Sequence, residues 1–296
     1  MVSSVSTDLV FELEDLLVQT CDAKLLIPTA RGVREWCVQN PNNRAARLIN
    51  RIVDRTIGHY NRLDRSFQVS DSENVLLIIG LNGDSLRWLS SILGWRQHFQ
   101  IVAAYICDAW GLEYLIYPEY TRDIDHLFVP MPEIIEPLEK QFGIPVSLLP
   151  FGADVLTHGS GGSDRFIDAM SYGRIPDKYH QAFVRTFNQS GSGKIYYRST
   201  PRQLELFPKT PYENRRDRED RLLLFKLLRR TKVALAFNTL YPGMRKFPHS
   251  FVTMRWFECG AAGCAITGKK PTTPLADELL DWEDATIELP DDPQAS

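Results

Sequence analysis

The sequence predicts an α/β protein built from two doubly wound, Rossmann-like domains. Short apolar runs alternate with amphipathic stretches along the chain, which is the pattern of parallel strands joined by crossover helices. The chain has 296 residues, enough for two domains of ordinary size. A stretch rich in glycine and serine, residues 155–163, interrupts the alternation near the middle. We therefore predict a first domain over residues 1–152 and a second over residues 153–296.

In the first half, three stretches have the features of helices. Residues 42–65 repeat apolar side chains on one face, and a second helix is expected from the N-cap candidate Asp84 to about Gln97. The third, residues 132–142, has proline at its start and Gly143 just past its end. No segment before Ala23 has the pattern of a strand. The predicted strands are residues 23–28, 74–81, 101–108, 126–131 and 145–151.

The second half contains the most informative run of the chain, residues 250–267. We predict that Glu258 opens a helix of small residues and that Gly263 ends it, since glycine takes the left-handed conformation without a steric penalty. A buried strand, 264–267, is expected to follow. Further strands are predicted at residues 165–170, 194–197, 232–237 and 285–289, with helices at 178–187 and 216–230.

Composition is that of a soluble globular protein, with 44% hydrophobic and 24% charged residues. No apolar run approaches the roughly 20 residues of a membrane helix, so we expect no integral membrane segment. The start of the sequence lacks the pattern of a signal peptide. We expect a cytoplasmic protein whose cysteines are reduced, buried thiols. The five cysteines are Cys21, Cys37, Cys107, Cys259 and Cys264.

Charge is distributed unevenly along the chain. Residues 1–152 have a net charge of −6, whereas residues 153–276 have a net charge of +11. A basic second half suits a phosphate-bearing ligand. The alternative is that much of this charge lies on one solvated helix, residues 215–232. The overall pI of about 6.1 argues against a nucleic-acid partner.

Four segments, in order and spacing, resemble GT-B glycosyltransferases of the broad group-1 class, most closely the spore-maturation-type branch. They are residues 101–110, 126–154, 168–174 and 250–263. The resemblance implies two Rossmann-like domains facing across a cleft, the first on the acceptor side and the second binding the donor. It implies transfer of a sugar from a nucleotide diphosphate sugar to a glycan or other acceptor that the sequence does not identify.

Compared with that family, we expect the N- and C-terminal ends of the fold to be incomplete. The first strand with its glycine loop, and the last helices of the donor domain, have no counterpart in this sequence. Apolar surface is then expected to be exposed at both ends, and with it a tendency of the protein to self-associate.

The resemblance implies a donor site in the second half. Glu258 matches a family acid that contacts the donor ribose, while Ser250 stands where the family often has another acid. Backbone N–H groups of the segment before Glu258 would meet the diphosphate, because helix N-termini favour anions. Arg174 and Arg255 would stabilise the leaving diphosphate. The residues implied to bind the donor are His249, Ser250, Phe251, Val252, Thr253, Arg255 and Glu258, with Arg174 as a catalytic cation.

On the acceptor side, the resemblance points to Asp108 and Trp110. Asp108 ends the strand predicted at 101–108 and is expected to act as a catalytic base or to bind the acceptor, and Trp110 could stack on a sugar ring. Structural alternatives stay open: a turn cap for Asp108, a core position for Trp110, a surface loop for Arg174 and a packed helix for Glu258. We expect no cofactor and no metal, since the one Asp-x-Asp spelling, Asp123-Ile-Asp125, precedes a strand.

Two other functions are weighed against glycosyl transfer. A non-catalytic module that binds sugar nucleotides or glycans would have the same fold with incomplete chemistry, and Ser250 and the missing ends favour it. A nicotinamide-dependent dehydrogenase fits the alternation of elements. The sequence has no Gly-x-Gly-x-x-Gly after a strand, however, and Gly80-Leu-Asn-Gly83 has the wrong spacing.

Overall fold

The computed structural model describes most of the chain, in two compact units. One unit is Met1–Pro150 with Leu204–Arg218, and the other is Phe151–Gln203 with Glu219–Ser296. The prediction of two domains, 1–152 and 153–296, stays a prediction. The described residues are 2–3, 10–26, 36, 40, 43–46, 48–49, 52, 74–83, 85–86, 95–109, 121, 123–159, 162, 164–199, 211–242, 244 and 249–293.

The first unit contains a parallel sheet whose five strands lie in chain order. The strands are β1 (Val2–Ser3), β2 (Val75–Gly80), β3 (Ile101–Ile106), β4 (His126–Val129) and β5 (Val146–Leu148). The described helices are α1 (Phe11–Cys21), α2 (Trp95–His98) and α3 (Ile135–Phe142), which continues from a 3₁₀ turn at Pro132–Ile134. The central strand β3 is buried over all but its first residue, as a strand covered on both faces requires.

Helix α3 ends as the sequence predicts. Gly143 lies just past its last residue with φ of +66° and donates its N–H to the carbonyl of Glu139 at 2.8 Å. The left-handed conformation closes the helix at little cost because glycine has no Cβ. The chain then turns directly into β5.

Two predictions in the first unit are wrong. Val2–Ser3 pair with Ile78 and Ile79 as a strand, although two residues are too few to show a period in the sequence. Residues 22–25 are not a strand, and only Leu26 makes an isolated bridge. This stretch leaves α1 through Asp22, whose φ of 51° is left-handed. The predicted helices at 42–65 and 84–97 lie mostly outside the described residues.

The second unit contains a parallel sheet in the order β10-β9-β8-β6-β7. Its strands are β6 (Ile167–Tyr172), β7 (Tyr196–Ser199), β8 (Thr231–Phe237), β9 (Ala265–Lys269) and β10 (Ile287–Glu288). Its helices are α4 (Val155–His158), α5 (Asp177–Phe187), α6 (Pro211–Leu228, which begins in the residues of the first unit), α7 (Met254–Ala261) and α8 (Pro274–Leu279). The chain is therefore an α/β protein with two parallel sheets, as predicted.

The two faces of the second sheet are covered by different helices. On one face, α6, α7 and α8 pack around Trp256, which is 1% exposed, and around Met170 and Ala234 of the sheet. On the other face, α5 packs Tyr179 against Leu235 and Phe237. Alternate residues of β8 thus enter opposite cores, which is the period-two pattern of a strand buried on both faces.

Arg165, just before β6, ties together the ends of two helices. Its guanidinium donates to the carbonyl of Ala262 after α7 at 2.8 Å, and to those of Leu228, the last residue of α6, at 3.4 Å and of Thr231 at 2.6 Å. A cation at two helix C-termini also meets the negative ends of their dipoles.

Among the four described cysteines one differs from the prediction, and Cys37 lies outside the described residues. Cys107, Cys259 and Cys264 are buried, but Cys21 is exposed at the end of α1. Burial raises the pKa of Cys264 to about 11, although Arg165 nearby works in the opposite direction. Among the described residues, no helix is both long and apolar enough to cross a membrane.

Candidate functional site

The strand order of the second sheet marks a candidate ligand crevice. Read across the sheet from β7, the strands are the second, first, third, fourth and fifth of this sheet in the sequence. The direction of winding therefore reverses between β6 and β8. Crossover helices leave these two strands on opposite faces, which opens a crevice at their carboxyl ends. Ligands of open α/β sheets bind at such a switch point. The residues that follow β6 and β8 therefore form the candidate site, here called the switch crevice.

The turn after β6 receives the side chain of Arg255. Gly173 has φ of +65°, and a Cβ at this position would lie 2.4 Å from Nη2 of Arg255. The same guanidinium donates from Nη1 to the carbonyl of Arg174 at 2.9 Å and lies 5.3 Å from the ring centroid of Tyr172. Glycine is thus needed both for the turn and for the approach of the arginine.

The turn after β8 binds the segment that leads into α7. Asn238 donates its N–H to Lys269 at 2.7 Å, and its side-chain oxygen accepts from the hydroxyl of Ser250 at 2.8 Å. Thr239 donates its hydroxyl to the carbonyl of His249 at 3.0 Å. Ser250 is buried, with 6% exposed. Two predicted donor residues therefore fix the segment to the end of β8 through these bonds.

The N-terminus of α7 lies at the same edge. Phe251 and Val252 are buried and Thr253 is the N-cap residue, whose side chain makes no capping bond. The first N–H groups of any helix have no partner within it, and they attract anions. In the part of the chain that the structure describes, the buried hydroxyl of Thr253 and the buried Nε of Arg255 also have no hydrogen-bond partner.

Glu258 does not open a helix, which is a correction of the prediction. It lies in the second turn of α7 and is 1% exposed. One carboxylate oxygen accepts from the hydroxyl of Tyr172 at 2.6 Å, and the other pairs with Arg221 of α6. Burial raises the pKa of Tyr172 well above its usual value, so this hydroxyl keeps its proton and remains a donor. Here the carboxylate forms an internal ion pair between two helices.

The remaining predicted site residues are at separate places. Arg174 is exposed in the turn after β6, next to Arg255. Asp108, in the first unit, follows β3, is half-buried and donates its N–H to Leu81 at 2.6 Å. Trp110 lies outside the described residues. The functional roles of these residues, and the cleft that Asp108, Arg174 and Glu258 are expected to share, stay predictions.

Sequence reasoning missed three residues of this region. Asn238 directly follows the strand predicted at 232–237. Ligands of open α/β sheets bind at the carboxyl ends of the strands, and this was sufficient to find it. Tyr172 was missed because the strand that corresponds to β6 was predicted to end at residue 170. Arg221 lies on the helix whose charge was weighed as a solvated face, and its burial to 3% exposed has no signal in the local sequence.

Metal binding has no geometric support in the described residues, where no three side chains of the ligating types gather. Asp125 pairs instead with Arg96, whose hydrogen bond holds the pKa of Asp125 below its usual range against the effect of burial.

The comparisons with known proteins assign no family. No protein-family model matches this chain, and a search of the curated proteins found no match. The geometry of the switch crevice and the resemblance of the four sequence segments are therefore the features that point to a function.

Proposed function

We propose that this chain is a GT-B-type glycosyltransferase that moves a sugar from a nucleotide diphosphate sugar to an acceptor. The observation that carries the proposal is the position of Arg255. Its guanidinium lies over Gly173 at the carboxyl end of β6, next to the N-terminus of α7 and at the switch point of a parallel sheet. Two further features support it: the two parallel α/β sheets and the net charge of +11 over residues 153–276.

The chemistry required at this place is neutralisation of a diphosphate. As the bond from sugar to phosphate breaks, negative charge grows on the leaving group, and fixed donors stabilise that charge. The N–H groups at the start of α7, the guanidinium of Arg255 and the exposed Arg174 can supply such donors. The unpartnered Nε of Arg255 and hydroxyl of Thr253 would gain acceptors from phosphate oxygens.

Contact between Glu258 and the donor ribose is not part of this proposal. Its two oxygens already accept from Tyr172 and Arg221 inside the unit. A ribose diol would have to replace a buried charged partner, which is costly. Asp108 as the acceptor-side base stays a prediction from the sequence.

A non-catalytic sugar-nucleotide-binding module is the second candidate. Ser250 favours it, because this residue is neutral and buried and its hydroxyl donates to Asn238. The family that the sequence resembles often has an acid at this position, and here no other charged group replaces it. Release of free sugar or transfer to an acceptor from a panel of donors would support the enzyme, and binding without turnover would support the module.

Arg255→Ala tests the donor site directly. A charged hydrogen-bond partner contributes about 1.5–3 kcal/mol, so affinity for nucleoside diphosphates is expected to fall by about ten- to a hundredfold. Arg255→Lys keeps the charge without the planar fork and is expected to fall between the parent and Arg255→Ala. Isothermal titration calorimetry with a panel of nucleoside diphosphates and monophosphates measures the effect.

The matched control is Arg185→Ala, which removes one positive charge from an exposed position of α5. It leaves the switch crevice unchanged and is expected to bind like the parent. If Arg255→Ala and the parent bind diphosphates equally, or if no nucleoside diphosphate binds the parent, the proposed donor site is wrong.

A further inference from the structure

A second polar cluster lies at the carboxyl edge of the same sheet, on the side of α5. It consists of Lys178 and Tyr179 in the first turn of α5, Tyr241 after β8, and Lys269 at the end of β9. We call these four residues the tail cluster, because all of them contact the segment that follows β10. They are distinct from Arg174 and Arg255 of the switch crevice.

The main chain of the tail is held by two donors of the cluster. Nζ of Lys178 donates to the carbonyl of Asp291 at 2.5 Å, and the hydroxyl of Tyr179 donates to that of Pro290 at 2.7 Å. Nζ of Lys178 also lies 5.1 Å from the ring centroid of Tyr179 and 5.2 Å from that of Tyr241. The rings orient the ammonium group toward the tail by cation–π attraction.

The carboxylate of Asp291 is held by the other two. Nζ of Lys269 lies 3.1 Å from one oxygen, and the hydroxyl of Tyr241 donates to the same oxygen at 3.2 Å. These two hydrogen bonds hold the pKa of Asp291 below its usual range. The Asp291 side chain is nevertheless 83% exposed, whereas that of Lys269 is only 18% exposed. Tyr179 and Lys269 are thus built into the sheet edge, while Lys178 and the occupant lie on the surface.

We propose that the tail cluster is an oxyanion-binding site that the chain's own residues 290–291 occupy, so that the tail competes with phosphate or diphosphate groups. Two ammonium groups and two phenol hydroxyls are donors that fit phosphate oxygens as well as a carboxylate. The Asp291 carboxylate of this ion pair is 83% exposed, so the pair contributes little stability and residues 290–291 can dissociate. An anion then binds with its intrinsic affinity reduced by the fraction of open sites.

The inference adds regulation to the proposed function. It rests on that function only for the identity of a nucleotide ligand, because oxyanion binding at the tail cluster is independent of it. Asn238 joins the two places, because its side chain binds the segment before α7 and its N–H binds Lys269. Occupation of the tail cluster by Asp291 places a negative charge against Lys269, whose main-chain carbonyl accepts from Asn238. Displacement of the tail removes that charge from the edge of the sheet.

Asp291→Ala tests the inference with inorganic pyrophosphate as the probe. Calorimetry on the full chain is expected to show binding about two- to fivefold tighter than in the parent, because the competing carboxylate is gone. A second variant, Asp291→Ala with Lys269→Ala, is expected to lose that gain. Glu283→Ala is the matched control, since it removes one exposed acid of the same C-terminal stretch. It is expected to stay within about twofold of the parent.

Equal pyrophosphate affinity for Asp291→Ala and the parent overturns the inference, as does an equal gain in Glu283→Ala or an absence of pyrophosphate binding in all variants. A uridine diphosphate titration of the same proteins separates this result from the fate of the proposed function. Pyrophosphate gain without nucleotide binding leaves the inference standing and the donor site wrong. If the parent and Asp291→Ala bind the nucleotide equally and the variant gains no pyrophosphate affinity, the inference is wrong and the donor site stands.

Discussion

Glu258→Gln is expected to lower the free energy of unfolding by about 3–5 kcal/mol, the usual loss when one partner of a buried ion pair is removed. The substitution keeps the size of the side chain but removes the carboxylate charge that pairs with Arg221, which is 3% exposed. Tyr172 keeps an acceptor of similar shape, so the loss comes from the broken ion pair between Glu258 and Arg221. Urea denaturation followed by circular dichroism measures the difference.

A double-variant cycle shows that the effect belongs to the pair. Arg221→Gln with Glu258→Gln is expected to lose less than the sum of the two single variants, because neither charge is then left alone. Glu278→Gln, on an exposed position of α8, is the control and is expected to change stability by less than about 0.5 kcal/mol. Parent-like stability of Glu258→Gln together with weaker nucleotide binding would show that the carboxylate faces a ligand after all.

Gly268→Ala is expected to destabilise the second unit by about 3 kcal/mol or more, through strain and overpacking together. Gly268 lies in β9 opposite Ala236 of β8, with φ of +146°. A Cβ there would lie 1.8 Å from the carbonyl oxygen of Ala236 and 2.8 Å from its carbonyl carbon. Backbone atoms of a central strand cannot yield, so the two strands must separate. Differential scanning calorimetry measures the loss.

Gly260→Ala is the matched control for that experiment. Gly260 lies within α7, is exposed, and a Cβ there meets no atom within 4 Å. Alanine in a helix interior is favoured over glycine by about 0.5–1 kcal/mol, so this variant is expected to be slightly more stable than the parent. Equal effects of the two substitutions would contradict the steric argument at Gly268.

The sequence predicted those elements whose limits are marked by local chemistry. Helix α3 was found because a proline begins the 3₁₀ turn that leads into it and Gly143 ends it. Strand β8 was found because a charged residue precedes a continuous apolar run. Strands β6 and β7 each begin two residues later than predicted. Both end in residues such as Ser199, which are polar or aromatic and weaken an apolar pattern. In β1 two residues leave no pattern at all.

The candidate site was harder to predict because its contacts join distant parts of the chain. Glu258 meets Tyr172 across 86 positions and Arg221 across 37. A sequence shows that a carboxylate follows an apolar run, but not whether a ligand or a buried arginine will bind it. Arg255 was predicted at the site because the resemblance implies a cation next to the leaving diphosphate, whereas its contact with Gly173 depends on the tertiary fold.

The contacts of Arg165 have a consequence for the order in which the second unit opens. A single guanidinium donates to the carbonyl of the last residue of α6 and to that of the residue after α7. Fraying of one helix end therefore releases a group that also holds the other. Slow amide hydrogen exchange is then expected to report the last turns of both helices as one cooperative segment. In Arg165→Ala these two turns are expected to exchange independently and faster, while amides of β8 keep their protection.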